Sequence, residues 1–176
     1  MSTNNIVIPN GGTNFNTDAV HTFIKFAQHP FKFRAYLFWK LPAAWLAGVR
    51  IKAISEDACI TSIPFRWLSQ NPFRSTYFAC LAMAAEMSTG LPAMMYVQSA
   101  PKRVSMLVTG LESVFVKKAT GITYFTCNDL PALKDAISKA LNQEEAVTVT
   151  LRSEGRDKQG TLIASFAITW SFKGKS

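Results

Sequence analysis

Hydrophobic positions change their period several times along this 176-residue chain, and each change predicts an element. Val20, Phe23, Ile24 and Ala27 recur at helical spacing after Asp18, which predicts a helix capped by that residue and ended by Pro30. "FKFRAYLFWKL" restarts an aromatic, basic helix that stops near Pro42, and "AAWLAG" adds a turn before Gly48. From Val49 the period falls to two. Val49, Ile51 and Ala53 alternate with Arg50 and Lys52, and "ACITSIPFRW" follows after "ED", so the pair predicts a β-hairpin with Pro64 at an edge or strand end.

Asn71-Pro72 breaks the strand pattern. The segment that follows is apolar on nearly every side, the mark of a buried helix. It is expected to run from a cap at Ser75 or Thr76 to about Gly90, where Gly and then Pro92 stop it. Strands dominate the rest. Val104 to Lys117 reads as β with a bulge near Gly110, and "ITYFTCN" follows the turn at Gly121. "LPALKDAISKALNQ" is a short amphipathic helix with Leu133, Ile137, Ala140 and Leu141 inward. Val147, Val149 and Leu151 alternate with Thr148, Thr150 and Arg152. After the polar turn "GRDKQG", Leu162, Ala164, Phe166, Ile168, Trp170 and Phe172 share one face, which predicts a second hairpin.

Residues 1–17, rich in Asn, Thr and Gly, are expected to form a flexible tail, and residues 18–176 one domain that opens with a helical segment over 18–47. The order is helices, hairpin, one buried helix, then four strands with a helical insertion. Antiparallel strands curling around the apolar helix satisfy it, because that helix must be covered on most of its circumference. The fold class is therefore α+β.

Composition narrows the setting. Hydrophobic residues make up 48% and charged residues 17%, which excludes wholesale disorder. The three cysteines, Cys59, Cys80 and Cys127, are widely spaced and make neither a metal pattern nor a disulfide framework, as expected for buried thiols in a reducing, cytoplasmic setting. The opening "MSTNNIVIPNGGTN" does not read as a signal peptide. No transmembrane segment is expected, since the best stretch, 77–97, is interrupted by Glu86, Gly90 and Pro92. The net charge is +8, but Lys and Arg are scattered and show no dense stripe, which argues against a nucleic-acid binder and leaves a phosphate-bearing ligand or an anionic membrane. The stretch "HPFKFRAYLFWKLPAAWL" has two readings: a cover for the sheet or acyl pocket, or a peripheral contact with a membrane surface.

"NPFRSTYFACLAMAAE" at 71–86 places one carboxylate, Glu86, among Ala, Leu, Met and Phe. This segment and the element order resemble the hot-dog fold of acyl-CoA thioesterases, in which a curved sheet wraps a central helix, over roughly residues 31–173. The segment is most similar to an uncharacterised branch marked by an NPFxSxYFxALAMAAE-type helix. Phenylacetyl-CoA thioesterase-like members carry Asn, then His-Gly-Gly six residues on, then an acidic residue nine beyond the His. Asn71 and Glu86 match the first and last, while Tyr77, Phe78 and Ala79 replace His-Gly-Gly. The resemblance implies that Glu86 activates water or attacks a thioester. It implies that backbone amides near Tyr77 and Phe78 polarise the carbonyl, and that Asn71 positions the substrate. Lys117 and Lys118 fall at the family's strand-end turn and would meet coenzyme A phosphates. The implied partner is an acyl-CoA or an acyl-carrier-protein conjugate, with no cofactor and no metal, in a homodimer or homotetramer whose site lies between subunits.

The residues themselves keep alternatives open. A buried carboxylate serves equally as half of an ion pair. Asn before Pro is an ordinary turn-former, Tyr77 can simply pack its ring, and Lys117 and Lys118 fit a solvated strand end. His21 and His29 lie away from the motif. Replacement of His-Gly-Gly favours a non-catalytic acyl-ligand-binding protein, whereas an acidic residue at the right spacing favours a hydrolase. A helix start near Ser75 supplies unpaired N–H groups, but Glu86 lies about 12 to 13 Å along that helix, which is long for one reacting centre within one subunit.

Overall fold

The structure is a computed structural model and describes residues 15–175. Of the expected tail, residues 1–14 lie outside the described residues. Phe15 and Asn16 belong to the folded body, a correction to the boundary at 17. The Phe15 ring packs on Tyr96 at 5.3 Å, and Asn16 N–H donates to the Ser99 carbonyl at 2.9 Å. Asn16, not Asp18, caps the first helix, its carboxamide oxygen accepting from Ala19 N–H at 3.0 Å. Asp18 instead places its charge in the first turn, against the positive end of the helix dipole.

Three helices open the fold: α1 (Thr17–Gln28), α2 (Pro30–Lys40) and α3 (Pro42–Ala47). Pro30 and Pro42 each begin a helix rather than only ending one, since a first-turn proline loses no hydrogen bond. Gly48 ends α3 with φ of 87°, and a Cβ there would stand 2.6 Å from the Arg66 guanidinium. The positive φ calls for glycine here, whereas the long Arg66 side chain could move aside.

The strands are β1 (Arg50–Ile54), β2 (Cys59–Ile63), β3 (Val104–Phe115), β4 (Thr123–Cys127), β5 (Val147–Arg156) and β6 (Leu162–Gly174). They form one antiparallel sheet in the order β1-β2-β4-β5-β6-β3, so β1 and β3 are its edges. Both expected hairpins and the bulge at Gly110 are present. The alternation read into β1 is not: the register slips between Ile51 and Ala53, so Ala53 is exposed and Ile54 takes the inward place. A one-residue bulge swaps faces, because the side-chain period is two. Cys59 and Cys127, distant in sequence, lie directly opposite each other across β2 and β4 as buried free thiols.

The sheet wraps α4 (Phe78–Ser99), which packs against every strand, and α5 (Leu130–Leu141) covers the far end through Leu133, Ile137, Ala140 and Leu141. The helix does not stop at Gly90: it continues nine residues further, through Pro92. Every residue from Met87 to Ala93 is buried, and that burial offsets the roughly 3 kcal/mol a mid-helix proline costs. The buried hydroxyls stay satisfied on site. Ser88 Oγ donates to the Ala85 carbonyl at 2.7 Å, and Thr89 Oγ1 donates to the Glu86 carbonyl at 3.0 Å while accepting from Trp170 Nε1 at 3.0 Å. By length and composition alone the resulting 22-residue helix is long and apolar enough to cross a bilayer, because Gly90 and Pro92 do not interrupt it. Most of it is enclosed by the sheet.

Candidate functional site

The loop before α4 is built by Asn71. Its carboxamide oxygen accepts from Phe73 N–H at 3.0 Å, Ser75 N–H at 3.2 Å and Ser75 Oγ at 3.2 Å. That closes a tight turn in which Arg74 has φ of 57°. Thr76 N–H donates to the Ala119 carbonyl and Tyr77 N–H to the Ser69 carbonyl, both at 2.8 Å, so the entry to the helix is held from two sides.

Tyr77 is the N-cap, one or two residues later than expected, and it supplies no side-chain cap. The N–H groups of Phe78 and Ala79 therefore meet no acceptor among the described residues. At this helix start lies a cavity of about 730 Å³, lined by Asn71, Phe73, Tyr77, Phe78, Lys117 and Lys118 among others, with Phe115 in its wall. Five of the six residues singled out in the sequence thus meet here. Phe78 stands between Tyr77 and Phe115, with ring centroids 4.8 and 6.3 Å away. Lys118 Nζ donates to the Phe73 carbonyl at 3.4 Å, and both lysines are exposed.

Glu86 is not among them. Its carboxylate is half-buried and faces a separate cavity of about 200 Å³ lined by Tyr36, Lys40, Met94, Met106 and Trp170, among others. It makes no hydrogen bond and no ion pair among the described residues, whose two salt bridges are Lys134–Glu56 and Arg156–Glu154. Loss of hydration without a compensating cation pushes its pKa up from the ordinary carboxylate value. Gly90 makes room for the side chain, since a Cβ at that position would lie 2.8 Å from Glu86 Oε1. No group of three or more His, Cys, Asp or Glu able to hold a metal occurs among the described residues.

The residues around Glu86 are not legible as a group in the sequence. Trp170 and Met106 come from β6 and β3, Tyr36 and Lys40 from α2, and no sequence spacing connects them. Phe115, the last residue of β3, and Val116 just beyond it wall the larger cavity and carry no separate signal.

A curved antiparallel sheet around one long central helix, with a pocket at the start of that helix, defines a hot-dog fold protein. Residues 31–172 match the model of a family described as a domain of unknown function, DUF4442, and the chain belongs to that family. No curated protein matches. Solved structures share the fold at low identity. A Pseudomonas aeruginosa protein of unknown function, a probable thioesterase, superposes with a TM-score of 0.65 at 15% identity, over 83% of this chain and 97% of its own. A putative thioesterase from Shewanella oneidensis gives 0.65 at 8% identity, over 89% and 99%. A Haemophilus influenzae thioesterase gives 0.59 at 11% identity, over 81% and 89%.

Proposed function

We propose that this protein is a thioester hydrolase acting on acyl-CoA or acyl-carrier-protein conjugates. Glu86 serves as general base or nucleophile, and the start of α4 in a partner subunit serves as the oxyanion hole. The observation that carries the reading is the unpaired, half-buried carboxylate of Glu86 facing a cavity. A structural role would require a cation or donor on it, and none of the described residues supplies one. In the general-base route, Glu86 takes a proton from water as the water oxygen bonds to the thioester carbonyl carbon. The tetrahedral oxyanion is held by the Phe78 and Ala79 N–H groups. Collapse breaks the carbon–sulfur bond, and the proton returns to the leaving thiolate. Asn71 acts by holding the turn, and Lys117 and Lys118 attract the anionic end of the ligand.

The two halves do not meet within one chain. Eight residues of α4 separate Phe78 from Glu86, roughly 12 Å at about 1.5 Å per residue, and the two residues line different cavities, as do Phe115 and Met106 of β3. Edge strand β3 exposes Leu107, Leu111, Val114 and Phe115. Two copies pairing antiparallel along β3 about its centre near Gly110 bring the partner's Phe115 beside this chain's Val104 to Met106. Each Glu86 then faces the other subunit's α4 start. Three free, buried thiols suit a reducing cytoplasmic location.

One observation favours the alternative, a non-catalytic acyl-ligand binder: the Phe78 ring occupies space beside the free N–H groups that two glycines would leave open. Hydrolysis of acyl-CoA thioesters across chain lengths, with free thiol as the readout, separates the two. Turnover at one or more chain lengths is expected. Tight acyl-CoA binding without turnover at any length selects the binder.

A further inference from the structure

A second cavity, of about 620 Å³, lies far from the α4 start, between α2 and the edge strand β1. Its wall combines His29, Arg34, Arg50 and Lys52 with Phe31, Phe38, Trp39 and Trp45. On α2, Phe33 and Leu37 are buried against the body, while Phe31 is 81% and Trp39 78% exposed. Large aromatics on an outward helical face are costly in water unless something covers them.

The charge is as one-sided as the apolarity. Between Asp18 and Glu56 the chain carries six Lys or Arg and no carboxylate. Arg34 stacks over the Trp45 ring at 5.0 Å, and its Nη1 is a buried nitrogen with no partner. Its pKa is lowered, first by partial burial and then by Arg50 and Arg66. Three guanidinium groups thus share one neighbourhood with no anion among the described residues to balance them.

We propose that the outward face of α2, with the adjoining start of β1, docks on an anionic phospholipid bilayer. Phe31, Phe38 and Trp39 enter the headgroup boundary, and Arg34, Arg50 and Lys52 take the lipid phosphates. A helix with exposed aromatics and flanking cations suits that boundary, where the rings leave water and the charges meet phosphate. A second copy of this chain fits less well. A two-fold contact through this face sets its cations against themselves, and the nearby Glu56 is already paired with Lys134 at 3.7 Å. The face is independent of the hydrolase reading and stands or falls separately from it.

Flotation of the whole protein with vesicles tests the assignment, using phosphatidylcholine alone and phosphatidylcholine mixed with phosphatidylglycerol. Binding to the mixed vesicles, weakening with salt and absent on phosphatidylcholine alone, is expected. Trp emission should shift to the blue on binding, and Trp39→Phe should remove most of that shift. Arg50→Gln with Lys52→Gln should lower partitioning about 30-fold, at about fivefold per basic residue. Phe31→Ser with Trp39→Ser should abolish it. All four positions are exposed, so melting curves matching the parent certify the folded state. The idea is overturned if the folded protein ignores mixed vesicles at low ionic strength, or if both double variants bind undiminished. Self-association lost in Phe31→Ser/Trp39→Ser, without vesicle binding by the parent, also overturns it and assigns the face to a second copy.

Discussion

Replacing Glu86 by glutamine separates a catalytic carboxylate from a structural one, because the two roles predict opposite changes in stability. The side chain is half-buried in a cavity walled by Tyr36, Met94, Met106 and Trp170, with no ion pair, and its pKa is raised by burial. A folded-state pKa above the unfolded one means that the native state holds the extra proton between the two values. Stability is then full below the unfolded pKa and falls as pH rises through the folded one. The loss is about 1.4 kcal/mol for each unit of separation. Glu86→Gln carries no charge to desolvate. It should melt at or above the parent temperature near neutral pH, and the gap should close toward about pH 4, where both forms are neutral. Hydrolysis should fall by about 10² to 10⁴, the contribution of a positioned acid or base. Melting and turnover measured on one preparation, across pH, decide the matter. A loss of roughly 3 to 5 kcal/mol at neutral pH is the signature of a broken buried pair and would refute the unpaired carboxylate. Undiminished hydrolysis by a folded variant would refute the catalytic role.

Gly90→Ala gains about 1 kcal/mol of helix propensity. It also places a methyl 2.8 Å from Glu86 Oε1 and 3.1 Å from the Trp170 ring, so a net loss of about 1 to 2 kcal/mol in chemical denaturation is expected. Ser88 and Ser153 hydroxyls lie 2.7 Å apart and fully buried; because Ser88 already donates to Ala85, Ser153 must be the donor between them. Ser153→Ala should therefore cost about 0.5 to 1.5 kcal/mol, and Ser88→Ala about 1 to 3 kcal/mol because it orphans a buried hydroxyl; equal costs in urea melts would contradict that direction. Leu107→Lys with Leu111→Lys on the β3 edge should give monomers in sedimentation and abolish hydrolysis together, and a fully active monomer would remove the shared site.

Periodicity carries most of the fold and little of the site. The β5–β6 hairpin is legible because its inward residues alternate without interruption, from Ala164 to Phe172, and all but the partly covered ends are buried. The length of α4 is not, because Gly90 and Pro92 are local stop signals, and local propensity yields where a helix is enclosed by a sheet. The inward face of β1 is hidden because a bulge leaves no mark in the alternation itself. Asn71, Tyr77, Phe78, Lys117 and Lys118 line one cavity. Glu86 stands apart, at the distance along its helix that the sequence already indicates. The Arg34, Arg50 and Arg66 neighbourhood and the facing Cys59 and Cys127 arise from packing alone, and no spacing announces them.

A site assembled from two subunits makes a prediction that no single-chain site shares. Phe78 is the first residue of α4, and Tyr77 before it is extended, with φ of −61° and ψ of 134°. Both features tolerate proline at this position, so Phe78→Pro deletes one candidate oxyanion donor and leaves the helix intact. Phe78→Ala controls for loss of the ring. Homodimers of Glu86→Gln lack the base in both sites, and homodimers of Phe78→Pro lack a donor in both. In a mixed dimer, one site receives both substitutions together, the lost base and the lost donor. The other site takes Glu86 from one subunit and the unaltered Phe78 helix start from its partner, and is whole. Equal mixing after reversible dissociation makes about half the dimers mixed, with one good site in two, so the rate should recover to about a quarter of the parent value. If Glu86 instead worked with the helix start of its own subunit, every site in the mixture would carry one defect. The rate would then stay at the average of the two variants. Recovery on mixing therefore supports the antiparallel β3 pairing and the division of labour across it, and an unrecovered mixture of demonstrably exchanged dimers rejects both.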